Sequence, residues 1–419
     1  MKLTMLGGAK EIGRSAILLS SENCKLLLDY GISLSREGPD FPLPVISREL
    51  DAILLTHAHL DHSGTIPLLY TSAKPKLITT KLTAELSNLL IRDLIKISSY
   101  HLPYESFELM KMLQSIQYIG ISDNLRIKDL HVETFNAGHI PGSLMFLITT
   151  EGKKILYTGD FNTIDTKMLH GAQIKNQNID VLIMEGTYAT VDHGNRTQIE
   201  SNFINSVNEI INSGGTVVIP AFSVGRAQEI ICVLHHGKIN TNIYIDGMAK
   251  NVNIIFLKYP EYFRDPELLS RAFKQTTHVE RWSERKQIYK KPCVIVAPAG
   301  MLQGGNVRFY VKNIAKSEKN AIFLVSYQVE ETPGATLIKT GLYASGKKAE
   351  KVNAKISYFD FSSHCGNTEL LNTIKTTKAK KVILIHGEKN YLEKFQKILQ
   401  EEKIAEEVII PETGEEIKI

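Results

Sequence analysis

Along the first 190 residues, apolar positions fall in short runs broken by turn-forming residues, and this pattern predicts strands. Residues 2–6, 16–20 and 25–29 read as strands separated by Gly7-Gly8 and by the polar Ser21-Glu22-Asn23. Residues 52–56 form a continuous apolar run that ends at His57, as a buried strand does. Residues 63–69 and 81–97 are predicted helical, the second with apolar residues three and four apart. Further strands are predicted at 144–149, 154–157 and 181–184. Together these describe a mixed β/α layered domain with polar residues gathered at strand ends.

From about residue 190 compact apolar runs at 216–220, 243–245, 293–296 and 321–325 alternate with turns or helical stretches such as 225–234 and 304–314. That alternation predicts a largely parallel sheet flanked by helices. After Gly341 the mixed pattern returns, with strands expected at 355–359 and 381–385, just before His364 and directly before His386. The expected organisation is one domain formed by residues 1–189 and 341–419, with a second domain inserted at 190–340.

Composition narrows the function classes. A chain of 419 residues that is 43% hydrophobic and 22% charged is an ordinary globular one. It has no apolar stretch near the roughly 20 residues of a membrane span. Its N-terminal apolar run is too short for a secretory leader. The expectation is therefore a cytoplasmic protein with no membrane contact. Cys24, Cys232, Cys293 and Cys365 are far apart and form no C-x-x-C pair, which excludes a thiolate zinc knuckle and a disulfide scaffold. Any metal must be held by imidazole and carboxylate. The net charge of +4 is small, but residues 190–340 carry 18 Lys/Arg against 13 Asp/Glu, so the positive bias lies wholly in the middle segment.

The six residues His57-Ala58-His59-Leu60-Asp61-His62 carry the chemistry. Three histidines and an aspartate on a turn leaving a strand supply the non-thiolate ligands that zinc prefers. His57 and His59 can reach one ion, while Asp61 and His62, on the next turn, face a second. Two ions need about seven or eight protein ligands, so others must come from elsewhere. The candidates sit at strand or loop ends beside glycine: His139 in Ala137-Gly138-His139, Asp160 in Thr158-Gly159-Asp160, and His386 in Ile385-His386-Gly387. Asp29, ending Leu26-Leu27-Leu28-Asp29, is placed to orient a ligand and not to hold the metal.

The order Asp29, His57/His59/Asp61/His62, His139, Asp160 resembles the metallo-β-lactamase fold. Met184-Glu185-Gly186-Thr187-Tyr188, Phe361-Ser362-Ser363-His364-Cys365 and Ile385-His386-Gly387-Glu388 resemble motifs of its β-CASP branch, the nucleic-acid hydrolases. The likeness spans essentially the whole chain. Within the branch the Phe361–His364 motif and the Gly300-Met301-Leu302 loop look closer to the endonuclease subunit of the cleavage and polyadenylation specificity factor than to ribonuclease J. The chain reads as a bare catalytic core, similar to short prokaryotic members.

The resemblance implies an α/β fold: an αββα sandwich with an inserted β-CASP domain. It implies two zinc ions, replaceable in vitro by other divalent ions such as Mn2+. One would be held by His57, His59 and His139 and the other by Asp61, His62 and His386, with Asp160 bridging. A hydroxide shared by the ions, oriented by Asp61 and Asp160, would attack the phosphodiester. His364, aligned by Glu185, would serve the leaving 3′-oxygen, giving 5′-phosphate and 3′-hydroxyl ends. Two departures from the family pattern bear on tuning: Gly186 stands where serine is usual, and Gly366 where an acidic residue often follows the motif histidine.

The middle domain contributes expected phosphate grips. Ser223, Gly225 and Arg226 lie at a helix entrance, where backbone N–H groups favour anions. Gly300, Gly304 and Gly305 form a second such loop. Arg271, Lys274, Arg281, Arg285, Lys286, Lys290 and Lys291, with Trp282 and Tyr289, read either as a track for a single strand or as a solvated helix face. The expected partner is single-stranded RNA, with a homodimer and further RNA-processing subunits left open. The rival expectations are a DNA hydrolase of the same branch, a small-molecule hydrolase of the wider superfamily, and a catalytically idle RNA-binding subunit. Endonuclease and 5′-exonuclease action share one metal centre and are not separated by sequence.

Overall fold

The computed structural model describes residues 1–35, 38–98, 101–174, 178–344 and 349–419. They pack as two compact units. Met1–Asp165, His170–Asp192 and Ser363–Ile419 form the first, and Thr166–Leu169 with His193–Ser362 form the second.

The first unit is built on two seven-stranded sheets. One runs in the order Glu416–Lys418, Lys2–Gly7, Ala16–Ser20, Lys25–Leu28, Ala52–Leu54, Lys76–Thr79, Ile116–Tyr118. The other runs Glu407–Ile409, Lys381–Ile385, Val181–Glu185, Lys153–Tyr157, Leu144–Thr150, Leu130–Asn136, Asn124–Ile127. Alternate residues of each strand meet between the sheets: Leu3, Met5, Ile17, Leu19, Leu26 and Leu28 from one, Phe146, Ile148, Ile155, Tyr157 and Ile183 from the other. The intervening residues face outward and are covered by helices. Leu27, Ile53 and Leu77 pack with Ile91, Leu109 and Met112 of Lys81–Ser98 and Ser106–Gln114. Leu182, Met184 and Leu384 pack with Leu370, Ile374, Leu392 and Phe395 of Asn367–Thr377 and Lys389–Glu401. The result is the expected αββα sandwich. The short continuous apolar runs are its cause, since successive side chains point to opposite faces and each central strand must bury both.

Lys25–Leu28, Ala52–Leu54 and Lys76–Thr79 are parallel, as are Lys153–Tyr157, Val181–Glu185 and Lys381–Ile385. Their carboxyl ends lead into Asp29, His57, Asp160, Glu185 and His386. Open parallel sheets hold their ligands outside such ends, where loops and unpaired backbone groups collect.

The second unit has a six-stranded, wholly parallel sheet in the order Thr277–His278, Asn242–Ile245, Cys293–Pro298, Thr216–Ala221, Ala321–Leu324, Lys355–Tyr358. Val218, Ile295 and Leu324 face Val307, Tyr310 and Val311 of the helix Val307–Ile314. On the other side Phe203 of Arg196–Asn212 sits edge-on to Phe323, 6.2 Å between centroids. The parallel sheet expected for the inserted segment is thus present. The strand Lys355–Tyr358, which the sequence reading placed in the first domain, pairs instead with Ala321–Leu324 in this sheet. The second unit therefore runs to Ser362, not to 340. Its exposed, half-polar pattern is that of an edge strand, and edge strands carry little signal of the sheet they join.

The predicted helix at 63–69 is a short α-turn, Leu60–Ser63, followed by the 3-10 helix Ile66–Tyr70, with Pro67 at its start. The basic cluster also resolves differently from a continuous track. Arg285 turns inward and grips buried Asp246 with both Nε (2.7 Å) and Nη2 (2.8 Å). Asp246 further accepts from Tyr310 Oη (2.8 Å) and Asn306 Nδ2 (3.1 Å). Removing the carboxylate leaves the partly buried Arg285 guanidinium and the buried Tyr310 hydroxyl without their acceptor, so Asp246→Ala is expected to destabilise this unit by about 3 kcal/mol. The single tryptophan, Trp282, lies on the same short helix as Arg285, and its fluorescence in a denaturant titration reports the loss. An unchanged midpoint would show the network to be dispensable.

Candidate metal centre

The His57–His62 turn is strapped from behind by backbone. Ser15 N–H donates to Asp61 O (2.8 Å), Tyr30 N–H to His62 O (2.8 Å) and Ile32 N–H to Leu60 O (2.9 Å). Gly31 lies so close that a Cβ there would sit 1.7 Å from Asp61 O, which is why this position carries no side chain. The strap presents His57, His59, Asp61 and His62 toward the opposite sheet.

Two ligand groups result. The side chains of His57, His59, His139 and Asp160 offer atoms that all lie within 4.8 Å of one another, and Asp61, His62, Asp160 and His386 do the same. Asp160 belongs to both. Its Oδ2 is 3.6 Å from His57 Nε2, 3.4 Å from His62 Nε2 and 3.8 Å from His139 Nε2. His386 Nε2 lies 3.3 Å from Asp61 Oδ2. The structure therefore brings all seven expected ligands into one cage.

The outer hydrogen bonds set the tautomers. His139 Nδ1 donates to the carbonyl of Ser363 (2.9 Å), and a carbonyl only accepts, so Nε2 keeps its lone pair for the cage. His62 Nδ1 donates to Asp29 Oδ2 (2.8 Å), which leaves its Nε2 inward. Asp29 thus stands behind His62, on the side away from the other cage residues, the place from which an outer carboxylate can orient an imidazole. His386 is steadied by Thr187, whose hydroxyl lies 3.2 Å from both its Nδ1 and its carbonyl oxygen. Sequence reasoning missed Thr56, Tyr157 and Thr187 as supports. Their one signal was a polar atom at the end of an apolar strand or, for Thr187, two residues after the motif carboxylate Glu185.

Burial holds His57 and His139 well below the usual histidine range and His59 below it, so all three are neutral donors. Burial also opposes charge on His62 and His386, but the carboxylates overcome it. Asp160 and Asp29 raise His62 well above the usual range, and Asp160 and Asp61 raise His386. This side of the cage carries the negative field that a cation requires. Asp160 Oδ1 is buried, makes no hydrogen bond among the described residues and lies 3.3 Å from His386 Nδ1. A buried carboxylate oxygen left without a donor fits metal ligation. The donor set, imidazole and carboxylate without thiolate, fits a divalent ion.

Beside the cage, His364 Nδ1 lies 2.9 and 2.8 Å from the two oxygens of Glu185. Glu185 is buried and also accepts from Phe161 N–H (2.9 Å). The two departures have local reasons. A Cβ at Gly186 would meet the Leu392 side chain at 2.2 Å. Gly366 N–H donates to Glu369 Oε2 (3.0 Å), so an acidic group arrives three residues later.

The six expected RNA contacts, Ser223, Gly225, Arg226, Gly300, Gly304 and Gly305, all belong to the second unit. Gly225, at φ 86°, precedes the helix Arg226–His236, but its N–H already donates to Gln228 Oε1 (2.9 Å). That N–H is not free to grip a phosphate. Gln228 also donates to Ser223 O (3.0 Å). Gly300 O accepts from Gln328 Nε2 (3.0 Å), and Gly305 turns at φ 66° before the helix that begins at Val307.

Residues 18–187 match the model of a metallo-beta-lactamase superfamily domain, 227–337 that of a Beta-Casp domain, and 350–411 that of a Zn-dependent metallo-hydrolase RNA specificity domain. The chain is 37% identical to "RNase aCSPSF2" of Saccharolobus solfataricus, over all of this chain and 85% of that protein. It is 35% identical to "Probable RNase MJ4" of Methanocaldococcus jannaschii over the full length of both. The chain belongs to the β-CASP branch of the metallo-β-lactamase superfamily. It is also 30% identical to "Cleavage and polyadenylation specificity factor 73" of Drosophila melanogaster, covering 96% of this chain and 62% of that one. A crystal structure of a protein of unknown function from Enterococcus faecalis superposes with a TM-score of 0.62 at 16% identity, covering 99% of each chain; at that identity it attests the fold alone.

As a β-CASP protein the chain is a metal-dependent hydrolase of a family that binds divalent metal, and the His/Asp groups described above could hold such an ion. No helix among the described residues is long and apolar enough to cross a membrane. All four cysteines are buried and free.

Proposed function

We propose that the chain is a zinc-dependent ribonuclease that hydrolyses RNA phosphodiester bonds to 5′-phosphate and 3′-hydroxyl ends. The observation that carries this reading is the buried Asp160 carboxylate shared by two complete ligand groups, with the Glu185–His364 pair beside it. Support for RNA comes from the match to an RNA specificity domain and from relatives named as RNases.

His57, His59 and His139 would hold one zinc, Asp61, His62 and His386 the other, and Asp160 both. Bound there, a zinc pair lets water ionise near neutrality and offsets charge on the phosphoryl oxygens. The protein's own part is to align groups around the scissile bond. Asp61 and Asp160 orient the attacking water by accepting its proton-bearing side. His364, with Nδ1–H held by Glu185, turns Nε2 outward to give a proton to the leaving 3′-oxygen. Because attack is at phosphorus and the P–O3′ bond breaks, phosphate stays on the 5′ end. In the second unit, Ser223, Arg226 and the Gly300–Gly305 loop are proposed to contact the strand through side chains and the remaining N–H groups.

Matched RNA and DNA oligomers of one sequence, labelled at either end, provide the test. Zinc-loaded protein is expected to cut the RNA at least tenfold faster and to leave 5′-phosphate ends. Equal cutting of both would make it a general nuclease of the branch. Failure to cut either would make it a binding subunit.

A further inference from the structure

Four hydrogen bonds converge on Asp29. Its Oδ1 accepts from Thr56 N–H (2.8 Å), and its Oδ2 from Thr56 Oγ1 (2.8 Å), His62 Nδ1 (2.8 Å) and Tyr157 Oη (2.7 Å). Thr56 and His62 follow the strand Ala52–Leu54 of the first sheet. Tyr157 ends the strand Lys153–Tyr157 of the facing sheet, three residues before Asp160. Asp29 itself sits at φ 56°, a left-handed conformation that aspartate adopts at a cost and that aims its carboxylate into this knot.

The ring of Tyr157 is wholly buried in the core between the sheets, among apolar residues. Phenylalanine would fill that space. A buried phenol hydroxyl is costly without a partner, and among the described residues the one hydrogen bond this hydroxyl makes is to Asp29. Its presence at a core position is explained by that bond. The bond also does something the two from Thr56 do not: it references Asp29 to the sheet that delivers Asp160.

Resting on the reading of the cage as a two-zinc centre, we propose that Tyr157 is a positioning residue. It fixes the His62 ring through Asp29, and so governs mainly the ion held by Asp61, His62 and His386. His62 is one bond from Asp29. The other group is reached only one link further, through Thr56 Oγ1, 3.0 Å from His57 Nδ1. His59 and His139 take no support from Asp29: the outer nitrogen of His139 is held by Ser363 O. The effect is therefore asymmetric between the two ions.

Tyr157→Phe removes the hydroxyl and keeps the ring. The full-length parent and variant are stripped with chelator and titrated with Zn2+ against a chromophoric competitor, with no substrate present. The parent is expected to take up two ions. The variant is expected to bind one of them about tenfold more weakly, the size seen when an outer hydrogen bond to a ligand is lost. The other affinity should change less than about threefold, below the roughly 10–100-fold cost of losing an outer hydrogen bond to a ligand. His62→Ala and His139→Ala, titrated alongside, assign each step to its ligand group. In an Asp29→Asn background, Tyr157→Phe should add no further loss, because residues acting through one another are not additive. Unchanged affinities in the variant would overturn the proposal. So would equal weakening at both ions accompanied by a lower melting temperature, which marks a purely structural role. A parent that binds fewer than two ions would instead overturn the two-zinc reading, and the positioning role with it.

Discussion

Asp160→Asn is expected to end hydrolysis and to cost the protein metal in both halves of the cage. Asparagine has the same outline, so packing in this buried place is kept. What disappears is the one negative charge that four imidazoles share: Asp160 lies within 3.8 Å of His57, His62, His139 and His386 nitrogens. The amide also places an N–H₂ donor among nitrogens whose lone pairs must face a cation. Losing a group that serves both ions should lower the cleavage rate on the order of 10³-fold or more. Metal content by mass spectrometry should fall clearly below that of the parent, while the melting profile of the metal-stripped proteins stays similar. A variant that retains two ions and cuts within tenfold of the parent would show that Asp160 is not the shared ligand.

The second large effect concerns chemistry without metal loss. His364→Ala and Glu185→Gln are expected to reduce kcat by roughly 10² to 10⁴-fold, the range for removal of a positioned proton donor or the group that aligns it. Metal content and RNA affinity should remain near those of the parent. The two changes should not add, because Glu185 acts through the Nδ1–H of His364. The pH–rate profile of His364→Ala should lose the limb that reports its proton donor. Loss of metal on these changes would point elsewhere. Asp160, Glu185 and His364 also offer atoms within 4.8 Å of one another, so a metal-poor His364→Ala would make His364 a ligand and not an acid.

The outcomes for the sequence reading divide along a physical line. Features set by neighbours in the chain were legible. Strands such as Ala16–Ser20 and Lys381–Ile385 fall at their expected bounds because apolar runs and turn chemistry are local properties. The parallel sheet of the inserted unit was likewise visible in its spaced apolar runs. The six-residue His57–His62 window announced metal chemistry because its ligands are joined by one short turn. Misplacements came where local pattern is weak. Lys355–Tyr358 is a half-exposed edge strand, and its membership of the second sheet depends on pairing with Ala321–Leu324. Arg285 looked like one more surface cation until the fold set a buried Asp246 opposite it.

By itself, then, the order of residues determined the strands, the αββα plan with its insertion, and the chemical type of the cage, since apolar periodicity and ligand spacing are written in consecutive positions. Only the tertiary structure decided that His139, Asp160 and His386 reach the turn. It also decided which nitrogen each histidine presents, and that Tyr157 and Thr187 stand behind the ligands. Those facts depend on sheet order and register, which bring strand ends hundreds of residues apart to the same edge, and on hydrogen-bond partners supplied from the facing sheet.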